Sequence, residues 1–170
     1  MKFLLGFLTA LVLLAVAGYS YFAMGLAPVA TSSAPMPFEV TMAHKALRAK
    51  IGSDAQKPSP IQPTDENLTA GAQIYRDHCA VCHGLKGQDT TAIAKGMFPK
   101  PPQLFVHGVT DDPVGETYWK VANGIRLTGM PSFSGSLTDE QMWQVSLMLF
   151  KADKLPQSAT EILMKPAGQI

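Results

Sequence analysis

Two thiols and an imidazole stand together in Cys79-Ala80-Val81-Cys82-His83. Thiols at this spacing, a turn apart on a helix, suit the two vinyl groups on one edge of a haem. The residue after the second thiol then lies under the ring, where its imidazole can bind iron. A thioether tether also holds a cofactor whose surrounding core is small. Zinc asks for a fuller ligand set, and this chain has only two cysteines and no H-x3-5-H partner near them. A dithiol oxidoreductase shares the C-x-x-C spacing but normally sets it after a strand in a βαβ context, and no such pattern is visible. A structural or redox disulfide is the remaining alternative. The expectation is that Cys79 and Cys82 carry one haem c and that His83 ligates its iron.

An electron carrier fills the second axial position as well, and methionine is the usual partner of histidine. The chain has nine methionines. Met1 and Met24 fall in an apolar amino-terminal run and Met36 and Met42 in the segment after it. Met142 and Met148 lie on a helical stretch where methionine commonly fills core space, and Met164 is in the tail. Met97 follows His83 by only fourteen residues, which keeps it on the near side of the ring. Met130 sits in Thr128-Gly129-Met130-Pro131-Ser132-Phe133, a stiff loop between two helices and far enough along to reach the opposite face. Met130 is therefore the expected sixth ligand. His107 is an alternative that would give two histidines; His78 and His44 read as solvated.

The elements that must position these residues are helical. Thr64-Asp65-Glu66-Asn67 has the acceptor and acidic residues of a helix start. Leu68, Gly71, Ala72, Tyr75 and Cys79 follow at helical spacing. A small residue at Gly71 makes sense if another helix crosses closely there. Loop chemistry follows His83: Gly84, Gly87, Gly96 and Pro99-Lys100-Pro101-Pro102. Asp112 as N-cap with Pro113 in the first turn opens a second helix, which stops at Asn123-Gly124. Thr138-Asp139-Glu140-Gln141 is a capping box for a third helix with a broad apolar face. No strand alternation is convincing, so an all-α domain is expected from Asp65 to Asp153.

Before it, Phe3 to Ala27 carries no charge, and no charged residue follows until Glu39. About 20 apolar residues cross a bilayer as a helix, more than a signal-peptide core needs. Pro28 after Ala27 and Pro35 after Ala34 spoil the available cleavage sites. Residues 1–27 read as an uncleaved signal anchor, with a cleaved signal peptide as the alternative. Either exports the helical domain, and Lys2 keeps the start cytoplasmic. A bacterial inner-membrane protein with its domain in the periplasm is the expectation. Residues 28–64 read as a proline-stiffened tether with a short basic helix from Thr41 to Ile51, and residues 154–170 as a tail. A net charge of +1 and the lack of a basic stripe exclude a nucleic-acid binder. From Asp65 to Asp153, seven Lys or Arg face ten Asp or Glu, a net of −3. No lysine ring for an acidic partner is present.

Tyr75-x3-Cys79-Ala80-Val81-Cys82-His83-Gly84, then Pro102-Gln103-Leu104, Asn123-Gly124-Ile125-Arg126 and Thr128-Gly129-Met130-Pro131 resemble, in order and spacing, the class I monohaem cytochromes c. The likeness is to bacterial membrane-anchored or oxidase- and dehydrogenase-linked domains and covers about half the chain. It implies the cytochrome c fold, with first and last helices crossing near Gly71 and Tyr75 against Trp143. It implies that the Pro102 carbonyl accepts from His83 Nδ1–H, that Leu104 packs on the ring, and that Gly84 permits close approach. Trp119 would be a haem-pocket or core aromatic. Arg126 would pair with a propionate, its alternative being an exposed surface arginine. The resemblance implies an electron carrier rather than an enzyme. Its partners would be a quinol- or dehydrogenase-side donor and an oxidase-type acceptor. A fixed subunit of a dehydrogenase or oxidase complex, or a haem sensor or peroxidase with an open iron site, are the rival readings.

Overall fold

The computed structural model describes residues 2–106 and 110–165, and every regular element among them is helical. Two units are present, Met1–Ala43 and His44–Ile170. The first is dominated by α1 (Lys2–Ala23), with a mean hydropathy of 2.1 and no buried residue. By length and composition α1 can cross a membrane, as can a signal sequence. Helix α2 (Glu39–Ile51) begins with Glu39 at its positive end and carries Arg48 and Lys50 in its last turn, each charge matched to the helix dipole.

The second unit is built on α3 (Asp65–Ile74). The Thr64 hydroxyl accepts from the Asn67 N–H at 3.3 Å, satisfying one of the first unpaired donors. Leu68, Gly71, Ala72 and Ile74 are its buried residues. The helix then widens over Tyr75–Cys79, where the Ala80 N–H reaches back five residues to the Tyr75 carbonyl. Such a turn inserts a residue and resets the face on which later side chains emerge. The short α4 (Ala80–His83) completes the haem motif. After α5 (Ala92–Lys95) and α6 (Val114–Asn123) comes α7 (Asp139–Phe150). Thr138 and Gln141 exchange both bonds of the capping box, at 3.2 and 2.8 Å. Helix α8 (Gln157–Met164) ends the described chain.

Helices α3 and α7 cross at Gly71. A Cβ there would collide with the Gln144 carbonyl and stand 2.8 Å from Met148 Cβ. The predicted close approach is thus present, but Trp143 is not at it. Successive helical residues are rotated by about 100°, so with Gln144 facing α3 its neighbour Trp143 faces α6. There Trp143 stacks on Tyr118, with ring centroids 3.9 Å apart and planes 9° from parallel. Helix α6 starts one residue later than its sequence suggests. Pro113 takes the cap position, and Asp112 pairs instead with Lys120, which also meets Glu116 at 2.6 Å.

Two segments pack where a tether and a tail were expected. Residues 52–57 lie on α6: a Cβ on Gly115 would stand 2.6 Å from the Asp54 and Lys57 carbonyls, and Lys57 Nζ lies over the Tyr118 and Trp143 rings. Helix α8 buries Ala159 and Leu163 in the main core, and Ser158 hydrogen-bonds Thr69 of α3 at 2.7 Å. Backbone carbonyls and a lysine ammonium make the first contact, and neither registers as hydrophobic periodicity.

Gly71→Leu should force α3 and α7 apart. The expected loss is about 1–3 kcal/mol, the usual cost of overpacking, measured by urea unfolding of the haem-loaded protein; an unchanged midpoint would contradict the crossing.

Candidate functional site

The haem motif is held from behind by α3. Tyr75 is completely buried, its hydroxyl donates to the Gly84 carbonyl at 2.8 Å, and its ring meets Phe105 edge-on. Gly84 runs at φ +73°, and a Cβ on it would collide with Gln103 Oε1. The turn from α4 into the following loop therefore needs glycine for its conformation, and a side chain there would also displace the end of Gln103.

Cys79 and Cys82 are both free thiols. Burial pushes the Cys79 thiol up to about 12, and the neighbouring Cys82 adds to the rise. Burial also pulls the His83 imidazole below its ordinary value, opposed by its bond to Pro102. Nδ1 of His83 lies 2.9 Å from the Pro102 carbonyl. That oxygen can only accept, so Nδ1 carries the proton and Nε2 keeps its lone pair, the form a metal ligand requires. Two free thiols beside a neutral, oriented imidazole fit a covalently attached haem.

The Met130 loop is clasped to the end of α6. Gly124 turns the chain at φ +66°. From there Ile125 N–H donates to the Met130 carbonyl at 3.1 Å and Phe133 N–H to Val121 at 3.0 Å. The Ser132 hydroxyl donates to Ala122 at 2.5 Å. Thr128 braces the turn from inside, its hydroxyl donating to Ile125 and accepting from Met130 N–H. Helix α6 and the loop approach so closely that a Cβ on Gly124 would stand 2.6 Å from the backbone of Pro131 and Ser132.

Cys79, Leu104, Phe105 and Met130 all pack against one core cluster, which contains Tyr75. Trp119 is placed differently: it lines a groove of about 330 Å³ with Asp54, Lys57, Gly115, Tyr118, Ala122 and Asn123. No other expected site residue borders that groove. Arg126 is exposed and has no ion-pair partner among the described residues. His107 lies outside the described residues. His78 is exposed, its ring centroid 6.2 Å from that of Phe133. Two supports went unread in the sequence. The Thr91 hydroxyl donates to Val81, inside the haem motif, at 2.7 Å. Met97 reaches Gly129, although its short separation from His83 suggested the contrary.

Residues 66–147 match the family model described as cytochrome c oxidase, cbb3-type, subunit III. The chain is 29% identical over 98 residues to quinohemoprotein alcohol dehydrogenase ADH IIB of Pseudomonas putida, covering 56% of this chain and 13% of the relative. It is 28% identical over 99 residues to quinohemoprotein alcohol dehydrogenase ADH-IIG of the same organism, covering 58% and 12%. The match thus spans about an eighth of each relative. A chain of the Kuenenia stuttgartiensis reducing HAO-like protein complex superposes with a TM-score of 0.47 at 25% identity, over 55% of this chain and 46% of that one.

Gly124→Ala would place a Cβ at positive φ and against the methionine loop. We expect a loss of roughly 2–4 kcal/mol from the two effects together, visible as a lower thermal midpoint; a midpoint within a degree or so of the parent would mean the clasp is slack.

Proposed function

Residues 66–147 belong to the class I monohaem cytochromes c, and from that premise we propose that this chain is a membrane-anchored, periplasmic carrier of single electrons in a respiratory chain. One covalently attached haem c with His83 and Met130 as axial ligands is the redox centre of this reading. The observation that carries it is the motif turn itself: both thiols free, and His83 Nδ1 tied to Pro102 so that Nε2 faces outward from that bond. When bound, the haem iron supplies a one-electron change between ferrous and ferric states.

Everything else falls to the chain. Cys79 and Cys82 would hold the haem through two thioether bonds to its vinyl groups. Pro102 fixes the imidazole plane and raises its basicity. The clasped loop holds Met130, whose soft thioether favours a positive potential. Leu104 and Phe105 keep the pocket apolar. With both His83 and Met130 bound, the iron would have no open position, which would separate a carrier from a sensor or peroxidase. Pro102, Leu104, Trp119 and Arg126 stand as proposed pocket residues, Trp119 and Arg126 with the least support because neither joins the core cluster of Cys79 and Met130.

The relatives favour a second form of the same reading. In both P. putida proteins the matching segment is a small part of a quinohemoprotein alcohol dehydrogenase. A dehydrogenase-type donor, with this chain as a fixed subunit beside it, fits that likeness. An oxidase-type acceptor fits the family description.

The test is the visible and near-infrared spectrum after expression with haem c maturation. The parent should give a sharp reduced α band and a weak far-red sulfur-to-iron band. Met130→Ala should keep its haem through denaturing electrophoresis, lose the far-red band and bind carbon monoxide when reduced. Unchanged coordination in that variant would remove Met130 from the site, and haem lost on denaturation would remove the tether. Membranes carrying the full chain should release it to mild detergent and not to high salt; release by salt alone would contradict the anchor.

A further inference from the structure

We infer that Met97 is a positioning residue for the sixth iron ligand: it is the tip of a strut running from the C-x-x-C-H turn to the Met130 loop. The inference rests on the proposed ligation by Met130 and deepens it. The strut starts at Val81, between the two haem cysteines, whose carbonyl accepts from the Thr91 hydroxyl at 2.7 Å. That hydroxyl also accepts from Ala94 N–H at 3.1 Å, capping α5. One oxygen thus ties α5 to the haem motif and starts the helix. At the other end Gly96 and Met97 close the last turn onto Ile93 and Ala94, and the Met97 side chain projects to Gly129.

The contact at Gly129 is specific. Among the described residues, chain neighbours aside, only Met97 atoms come within 4 Å of where a Gly129 side chain would begin: its methyl carbon would collide, and its sulfur stands 3.6 Å away. Hydrogen bonds hold the methionine loop along its α6 side at Ile125, Thr128 and Met130. Met97 fills the space that glycine leaves open, next door to the ligand. Thioether packing is adaptable but not empty, so removing it frees the loop to move at the residue before Met130. An isosteric apolar side chain should restore the support without offering sulfur.

Haem-loaded parent, Met97→Ala, Met97→Leu and Thr91→Val protein would be compared in three ways. These are the far-red band of the ferric form, the affinity of ferric protein for added imidazole, and the reduction potential. Deleting a half-buried methionine side chain should loosen the loop, so Met97→Ala should bind imidazole about tenfold more tightly, equivalent to about 1.4 kcal/mol. Its far-red band should weaken and its potential fall. Met97→Leu should stay within about twofold of the parent. Thr91→Val, which cuts the strut at its other end, should move in the same direction as Met97→Ala. Parent-like imidazole affinity and potential in either Met97→Ala or Thr91→Val would overturn the strut, so one of the two variants decides it if the other fails to fold. Complete loss of the far-red band in Met97→Leu would overturn it differently, by making Met97 the ligand. A parent lacking that band altogether would instead sink the proposed ligation by Met130, a failure distinct from that of the strut.

Discussion

At the crossing of α3 and α7 there is no room for a side chain on Gly71, and the placement of the whole site depends on that approach. Helix α3 carries the wide turn that delivers Cys79, Cys82 and His83. Helix α7 carries Trp143 against Tyr118 and so fixes α6, and the end of α6 holds the loop with Met130. Among the described residues no hydrogen bond runs directly between the two halves of the proposed iron site. Helix packing sets their relation, with the link through α5 and Met97 added to it, and packing is stiff because interiors are close-packed and respond to changes of a single methylene.

Each half is then locked locally by groups that cannot be satisfied elsewhere. The Tyr75 hydroxyl, buried with its ring, closes on Gly84, and an unpaired hydroxyl there would cost about 1–3 kcal/mol. His83 closes on Pro102, whose lack of an N–H leaves its carbonyl as the only backbone partner it can offer. On the other half, the carbonyls left open at the end of α6 are taken by the methionine loop: Val121 by Phe133 N–H and Ala122 by Ser132. A helix terminus always leaves such carbonyls to be satisfied. Here the groups that satisfy them belong to the loop that needs anchoring, so ending the helix and fixing the loop are a single event.

Sequence made the local parts of this design legible and hid the distant ones. The capping box at Thr138 and Gln141 is contained in four residues, and both of its bonds are present. The small residue at Gly71 announced a close crossing because glycine in a helix interior needs a reason. The haem motif and the Pro102 contact came through spacing and family resemblance. The face of Trp143 did not, because one residue of rotation separates α3 from α6. Residues 52–57 read as linker because their hold on α6 comes from carbonyls over Gly115 and a lysine over two rings. Met97 was misjudged by sequence distance from His83. Helix α5 and its tie to Val81 carry it towards Gly129, a fold in the path that counting residues cannot reveal.

The supports on the two halves differ in kind, and the difference bears on electron transfer. A carrier works best when its ligands move little between oxidation states. The histidine side is held by a hydrogen bond at the proposed ligand itself, His83 Nδ1 to the Pro102 carbonyl, which would raise the basicity of the imidazole. On the methionine side no hydrogen bond among the described residues reaches the Met130 sulfur. Its support is steric and backbone-based: a loop clasped to α6 on one face and filled by Met97 at Gly129 on the other. On the proposed ligation, His83 is therefore tuned through its own electronics, while Met130 is tuned through position alone. On that ligation the thioether would be the weaker of the two ligands, and the residues around Gly129 would be the ones through which small packing changes reach the potential.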